Sequence, residues 1–494
     1  TTTTTTTTKA TKATTTNTIS SDSPPIQIHR LPFVRRVHCI SDLHVDHRLN
    51  MDWWRDYCEG DSTAEPALLP HLDETDLMVV AGDISHELDT IETSLRLLKD
   101  TGAHVVFVPG NHEAWLSSSS ELDAYDQHPF RSQENSASTS TSTSTSTSTS
   151  SDKPYSSLDK LEDIEQLCKT LGVMTTGSCV CVGGRRGRSQ ESPQPELWIL
   201  PLDGWYDGSL SVVDLNHPTS DAESGDKSSL VGQTHPHYEL VDGFRKWPWV
   251  DFVRCRWPQR PDREEQTPAS ASIGLLAKIP HGLVEYFVRR NQRTIDAFQE
   301  VTATGRCDRN HEDDHDHEDA ATVASSVSIL TVSHFLPNRQ CLPDWKDLGA
   351  SEFCFDSWLD HGAGGISAKF ALVAGSDQLD RQIRSIALPE MNQTQSQSQP
   401  NLTPRRIHVF GHSHRPKDFV YEGIRYVHQP LGKPRERDMY MCDPNVQPKL
   451  VWDADTVSST SASDANATED ANNDNNNNND NGNDNNNNNN NNNN

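Results

Sequence analysis

Seven side chains in this sequence are of types and spacings that could hold divalent cations: Asp42 and His44, Asp83, Asn111, His334, and His412 with His414. Each lies in a short stretch (SDLH, GDISH, GNHE, SHF and GHSH) that follows an apolar run. Carboxylate, amide and imidazole groups together make a ligand set for hard or borderline divalent cations. Asp42 and His44 lie two apart, so one loop can bring both to the same ion, and His414 can complete that ion's shell. Asn111, His334 and His412 supply a neutral oxygen and two imidazoles for a second ion. Two ions about 3.5 to 4 Å apart need a ligand that touches both, and Asp83, at the middle of the set, is the candidate bridge. A water or hydroxide between such ions would be strongly acidified, since a single zinc ion already brings bound water to a pKa of about 7. That is a nucleophile for phosphorus.

Positioning these groups requires strands that end together. Leu77 to Ala81 is a continuous apolar run stopped by Gly82, which reads as a buried strand rather than an amphipathic helix. Val34 to Ile40, His104 to Val108, Val327 to Val332 and Ile407 to Phe410 end in the same manner, and the carboxyl ends of strands in α/β sheets are where ligands bind. Between them the apolar spacing predicts helices over Met51 to Tyr57, Ile91 to Lys99, Leu158 to Leu171, Leu283 to Val301 and Gln378 to Ile386. Further strands are expected at Ser178 to Val182 and Leu197 to Leu202. Phe419 to Val427 reads as a hairpin turning at Glu422-Gly423. A single His at a strand end is ordinarily a surface residue, and an Asp there is ordinarily a helix cap. No packing requirement produces all five stretches in order, each after an apolar strand.

The chain has 494 residues, a net charge of -28 and only 33% hydrophobic residues, so a large share of it lies outside any core. Low-complexity tracts account for much of this, because they cannot bury enough apolar surface to offset their ordering entropy. The expected organisation is a disordered Thr-rich segment over 1–30, one domain over 31–452, and a disordered Asn/Asp-rich tail over 453–494. Inserts are placed near 130–155, 183–195, 208–235, 303–324 and 392–404. The His/Asp run from Cys307 to Ala320 reads as a solvated insert rather than a metal site. The acidic balance argues against broad nucleic-acid binding, which needs clustered Lys and Arg. Ten cysteines without CxxC spacing signal neither a zinc ribbon nor a disulfide framework. No apolar stretch approaches the roughly 20 residues of a membrane span, and no signal-peptide core precedes Leu31. The expectation is an intracellular, cytoplasmic protein of open oligomeric state. The Thr-rich opening leaves an organellar transit segment as an alternative to simple repeat expansion.

The five stretches resemble the ligand motifs of the calcineurin-like metallophosphoesterases, and the resemblance covers most of Val34 to Val427. It implies an α/β (α+β) fold, a four-layer αββα sandwich, and a binuclear metal centre that hydrolyses phosphate esters. Carried over residue by residue, Asp42, His44, Asp83 and His414 bind one metal, and Asp83, Asn111, His334 and His412 bind the other. His112 corresponds to the acid that protonates the leaving group. GNHEAW, PLDGWYD, SHFLP and GIRYVHQPLGKPRER resemble one eukaryotic branch and add no substrate. Protein phosphatases of the superfamily carry GDYVDRG at the second motif; here His86 and Glu87 stand at its second Asp and its Arg, which argues against that activity. Phosphate must then be held by other groups, for which His47, His86 and Arg415 are candidates by proximity in sequence. The metals could be Mn, Fe, Zn or Mg. A phosphodiesterase acting on nucleotides or nucleic acid, and a non-catalytic binding scaffold, are the alternative readings; the first is not separated by sequence, because the groove selects the substrate.

Overall fold

The computed structural model describes residues 25–60, 72–116, 155–184, 195–210, 249–258, 282–304, 327–343, 370–388 and 405–457. The poly-Thr opening, the Ser/Thr repeat, the His/Asp run and the Asn-rich tail lie outside the described residues. In chain order the elements are β1 (Gln27–Leu31), β2 (Arg36–Ile40), α1 (Arg48–Glu59), β3 (Asp76–Ala81), α2 (Leu88–Asp100), β4 (His104–Val108) and α3 (Ser157–Leu171). Next come β5 (Ser178–Gly183), β6 (Glu196–Pro201), the short α4 (Asp251–Arg254), α5 (Leu283–Thr304), β7 (Val327–Val332) and α6 (Asp377–Ser385). The last are β8 (Arg406–Phe410), β9 (Lys417–Tyr421), β10 (Ile424–His428), α7 (Pro434–Asp438) and β11 (Lys449–Asp453).

Strand alternation explains the layering. In β2, β3 and β4 the residues Val37, Cys39, Leu77, Val79, Ala81, Val106 and Val108 point to one face. They meet Val180, Val182, Leu197, Ile199, Leu330, Val332, Ile407, Val409 and Val427 from a second sheet. The opposite parity of the small sheet, Ile40, Met78, Val80, Val105 and Phe107, packs on Trp54, Ile91, Leu95 and Leu98 of α1 and α2. The opposite parity of the large sheet, including Cys181, Trp198, Leu200 and Ile329, packs on Phe287, Ile295 and Phe298 of α5 and Leu379 and Ile383 of α6. Both faces of each sheet are covered, so β3 and β7 are buried at every position and read as predominantly apolar runs without polar alternation. The result is the four-layer αββα sandwich that the resemblance implies.

Among the described residues the sheet orders are β11-β2-β3-β4 and β1-β5-β6-β7-β8-β10-β9. β2, β3 and β4 run parallel with Ile40 beside Val80 and Ala81 beside Val108, so their carboxyl ends are level. In the large sheet Val332 pairs with Val409 and Phe410 with His428, which aligns the exits of β7, β8 and β10. The two sets of exits are tied together by backbone bonds from Ser41 N to Gln429 O and from Gly432 N to Asp42 O, each 3.0 Å.

Two strands depart from the sequence reading. β1 lies in the stretch expected to be disordered and pairs in parallel with β5; its burial is shallow, so no apolar periodicity announces it. β11 pairs antiparallel with β2, and the boundary expected at residue 452 cuts through it. Val34, expected to open the first strand, precedes β2 and packs between the sheets. α1 is longer than expected at both ends and finishes at Gly60, whose φ of 67° provides the left-handed cap that a side chain would resist. Among the described residues no helix is long and apolar enough to cross a membrane, and all eight described cysteines are free thiols.

Candidate metal centre

Each candidate ligand sits where a strand has just ended, and five of the seven are in a backbone conformation that side chains avoid. Asp42, His44, Asp83, His412 and His414 have φ between 43° and 75°, and they make up five of the seven described non-glycine residues with positive φ. Left-handed backbone costs a non-glycine residue of order 1 kcal/mol or more, and such strain persists only where the surroundings impose it. The preceding glycines are required by contact: a Cβ on Gly110 would lie 2.3 Å from Asp83 Oδ1, and one on Gly411 would lie 2.6 Å from Ala81 O. The G-N-H and G-H-x-H patterns therefore reflect backbone packed directly against neighbouring ligand loops.

What imposes the strain on Asp83 is Glu113, fully buried in the 3-10 turn His112–Ala114. Its carboxylate accepts from four backbone N–H groups, those of Asp83 (3.0 Å), Ile84 (2.7 Å), Ser85 (3.2 Å) and Gly110 (2.6 Å). One side chain thus clamps two ligand loops. Burial pushes the Glu113 carboxyl up to about 7, against the pull of these donors.

The expected ligands converge. Asp42, His44, Asp83 and His414 offer ligand atoms that all lie within 4.8 Å of one another, and so do Asp83, His334 and His412. Asn111 Oδ1 joins the second group, 3.1 Å from His334 Nε2 and 3.0 Å from His412 Nδ1. Asp83 belongs to both groups: Oδ1 is 3.4 Å from His334 Nε2, and Oδ2 is 3.9 Å from His44 Nε2.

The hydrogen bonds behind the ligands set their tautomers. His334 Nδ1 faces Ala81 O at 2.9 Å and His412 Nε2 faces Val373 O at 2.9 Å, so each ring donates outward. Their inward nitrogens, 3.2 Å apart, then present lone pairs to each other and to Asn111 Oδ1. His414 Nδ1 donates to Glu436 at 2.7 Å, which leaves its Nε2 as a lone pair 2.9 Å from His44 Nε2. In the second group acceptors aimed at one another with no proton between them repel unless a cation joins them, and in the first His414 turns a lone pair toward His44, whose buried Nδ1 has no hydrogen-bond partner; divalent cations fit both groups. The carboxylates agree. Burial, with Glu113 and Asp42 nearby, pushes Asp83 well above the usual carboxylate range, a shift that a cation would reverse. Asp42 is also buried, but the hydrogen bond from His428 Nε2 at 3.0 Å and the charge of His414 hold it well below that range.

His112 is held beside the centre. Its N–H donates to Asp83 Oδ1 at 3.1 Å, its Nε2 lies 3.8 Å from Asp83 Oδ2, and its ring stacks on Trp115 at 3.7 Å between centroids. His44, His112 and the exposed Asp46 form a further grouping of possible ligands. Burial, and the charge of Lys433, push the His112 imidazole well below its ordinary value. Of the candidate phosphate contacts, His47 is exposed at the N-cap of α1, and His86 has its ring 6.0 Å from that of Trp115. Arg415 follows His414 and is half-buried. His47 and His86 make no side-chain hydrogen bond to the expected ligands. Sequence reasoning gave no role to Glu113, His428, Glu436 or Lys433; the first lies in the quoted GNHE and the others in GIRYVHQPLGKPRER, but their partners are set by the fold.

Residues 35–253 match the model of the calcineurin-like phosphoesterase family, a range that contains Asp42, His44, Asp83, Asn111 and His112. A curated relative, acyl-carrier-protein phosphodiesterase PptH of Mycobacterium tuberculosis, is 34% identical over 86 residues. That stretch is 17% of this chain and 23% of the relative, so the chain spans about a quarter of the relative's length in the match. The crystal structure of phosphopantetheinyl hydrolase PptH from Mycobacterium tuberculosis covers 87% of this chain and 97% of its own at 17% identity and a TM-score of 0.43. The chain carries a calcineurin-like phosphoesterase domain, matched over residues 35–253.

Proposed function

We propose that this protein hydrolyses phosphate esters with two divalent cations, one held by Asp42, His44, Asp83 and His414 and the other by Asp83, Asn111, His334 and His412. The observation that supports this reading most is the pair of buried ligand clusters with Asp83 common to both. When bound, the cations supply Lewis-acid charge that acidifies water and neutralises phosphoryl oxygens. The chain's own residues do the rest. Glu113 keeps the Asp83 and Asn111 loops in register, and Glu436 and His428 hold His414 and Asp42. His112, turned by Trp115 and by its own N–H on Asp83, presents Nε2 toward the centre and is assigned the proton for the leaving oxygen. Because burial disfavours its imidazolium, that proton depends on the substrate's phosphoryl charge. Lys433, whose charge reaches His44, His112 and His414, is assigned with His47, His86 and Arg415 to hold phosphate.

A phosphodiester is the favoured substrate class, since the PptH relative is named a phosphodiesterase; phosphomonoesters are the second reading. Metal-loaded protein should be assayed on phosphomonoesters, cyclic nucleotides, dinucleoside polyphosphates, short oligonucleotides and phosphopantetheinyl diesters. Absence of turnover on all of them with both cations bound would favour a binding scaffold instead. His112→Asn should slow alkyl esters by about 10² to 10⁴ and nitrophenyl esters much less, with metal content retained. A loss equal across leaving groups, together with reduced metal content, would instead make His112 a ligand alongside His44 and Asp46.

A further inference from the structure

Asp251 opens the short helix α4 and is 2% exposed, yet it belongs to none of the five ligand motifs. Its Oδ1 accepts from Asn111 Nδ2 at 2.9 Å and from Trp115 Nε1 at 2.7 Å, and its Oδ2 accepts from Trp249 Nε1 at 2.8 Å. Two of these partners touch the centre. Trp115 is the ring on which His112 stacks, and Asn111 Oδ1 lies between His334 and His412. The third, Trp249, stands edge-on to His412 with centroids 6.0 Å apart.

A primary amide has two ends of the same shape and opposite hydrogen-bonding sense, so nothing in Asn111 itself determines which end faces the cation. An acceptor-only carboxylate behind it does. With Nδ2 bound to Asp251, Oδ1 must face His334 and His412 as a lone pair. The reverse rotamer would set an oxygen against a carboxylate and an N–H₂ where a cation belongs. The same carboxylate oxygen fixes the indole of Trp115 and through it the plane of His112. Burial pushes the Asp251 carboxyl upward, and the donors on it oppose that shift.

We propose that Asp251 is a positioning residue of the centre: it turns the amide oxygen of Asn111 toward the cation held with His334 and His412, and it holds the Trp115 face on which His112 is aligned. The proposal rests on the metal-centre reading of Asn111 and goes beyond it, because the residue lies 140 positions from Asn111 in sequence.

The test is calorimetric titration of Zn(II) and Mn(II) into the metal-free full chain, alongside tryptophan fluorescence and the melting temperature. Asp251→Asn should weaken one of two binding steps by about 10- to 100-fold, the range for partners of a ligand, leave the other within threefold, and shift the tryptophan emission. Two unaltered steps with altered emission would overturn the proposal and leave the metal reading standing. A wild-type protein that binds no cation would end both. If D251N does not fold, N111D supplies the comparison. Alone it sets two carboxylates against each other and forces a proton onto one. Paired with D251N it restores an amide on a carboxylate with the polarity reversed. N111D/D251N should bind at least tenfold more tightly than N111D, and equal affinities would overturn the proposal.

Discussion

The two ligand clusters share Asp83 and one end of the fold, yet they are supported differently. The cluster of Asp42, His44, Asp83 and His414 has two carboxylates, and its outer partners are ionisable: Glu436 behind His414 and His428 behind Asp42. The cluster of Asp83, Asn111, His334 and His412 has one carboxylate, and its rings donate to the main-chain carbonyls of Ala81 and Val373. Electrostatics follow the wiring. Burial opposes it, but the Glu436 carboxylate raises the His414 imidazole above its ordinary value, whereas burial lowers His334 to about 4. The first cluster is tuned by side chains that can be mutated or protonated. In the second the two imidazoles are fixed by the backbone, and only the Asn111 amide rests on a side chain, Asp251.

The strongest way to break this comparison is to remove what the clusters share. Asp83→Asn takes a charge from both, so both cations should be lost together and turnover should fall to background. Elemental analysis with a parallel assay decides it; a variant that keeps two cations at wild-type activity would show that Asp83 is no bridge. Chelation of the wild type should lower the melting temperature, because the cations bind only the folded form.

Glu436→Gln separates the clusters. It leaves every ligand in place but removes the charge behind His414, so the first cluster should lose about 10- to 100-fold in affinity. The second should be unaffected. Equal weakening of both steps in a calorimetric titration would mean that the clusters act as one electrostatic unit.

The contrast also shows what was legible in the sequence. The seven candidate ligands were readable because each is local: an apolar strand and then the donor, with a glycine where backbone meets backbone ahead of Asp83, Asn111 and His412. The αββα layering was readable because β3 and β7 are buried on both faces and so lack polar alternation. The supporting shell was not readable as contacts. Glu436 is 22 residues from His414 and His428 is 386 from Asp42, distances over which only the fold decides contact. β1 was missed because an edge strand with exposed Ile28 carries no periodicity. The left-handed backbone of the five ligands has no composition signal, since Asp and His are tolerated there, not required.

Acid should distinguish the clusters in a predictable order. A proton and a cation compete for the same lone pair, so a site begins to lose affinity as pH falls below the pKa of its ligands; Asp83, raised by burial, is common to both sites, so the difference between them lies in their imidazoles. His414, raised above its ordinary value by Glu436 against burial, begins to compete at a higher pH than His334, lowered to about 4 by burial, or His412, which burial also holds well below its ordinary value. As pH falls the first cluster should therefore release its cation at a higher pH than the second. The metal-dependent rise in melting temperature should shrink as the cations are released. Glu436→Gln should flatten this dependence by lowering the His414 pKa. Simultaneous release of both cations would contradict the different wiring.

The smallest effect is expected from the low-complexity tracts. Among the described residues, both ligand sets are drawn from the strand exits of the two sheets. The repeat from Ser136 to Ser151 and the tail after Thr456 are built mainly of Ser, Thr, Asn and Asp, with too little apolar surface to add to a core. Loop-closure entropy changes only slowly with loop length, by about 0.6 kcal/mol per doubling. Shortening the repeat should then move the melting temperature by a degree or two, and removing the tail should move it less. Both cation affinities should be unchanged. A drop in one affinity alone would reveal a contribution from these tracts to that cluster, while a collapse of solubility or turnover would place the domain boundary elsewhere.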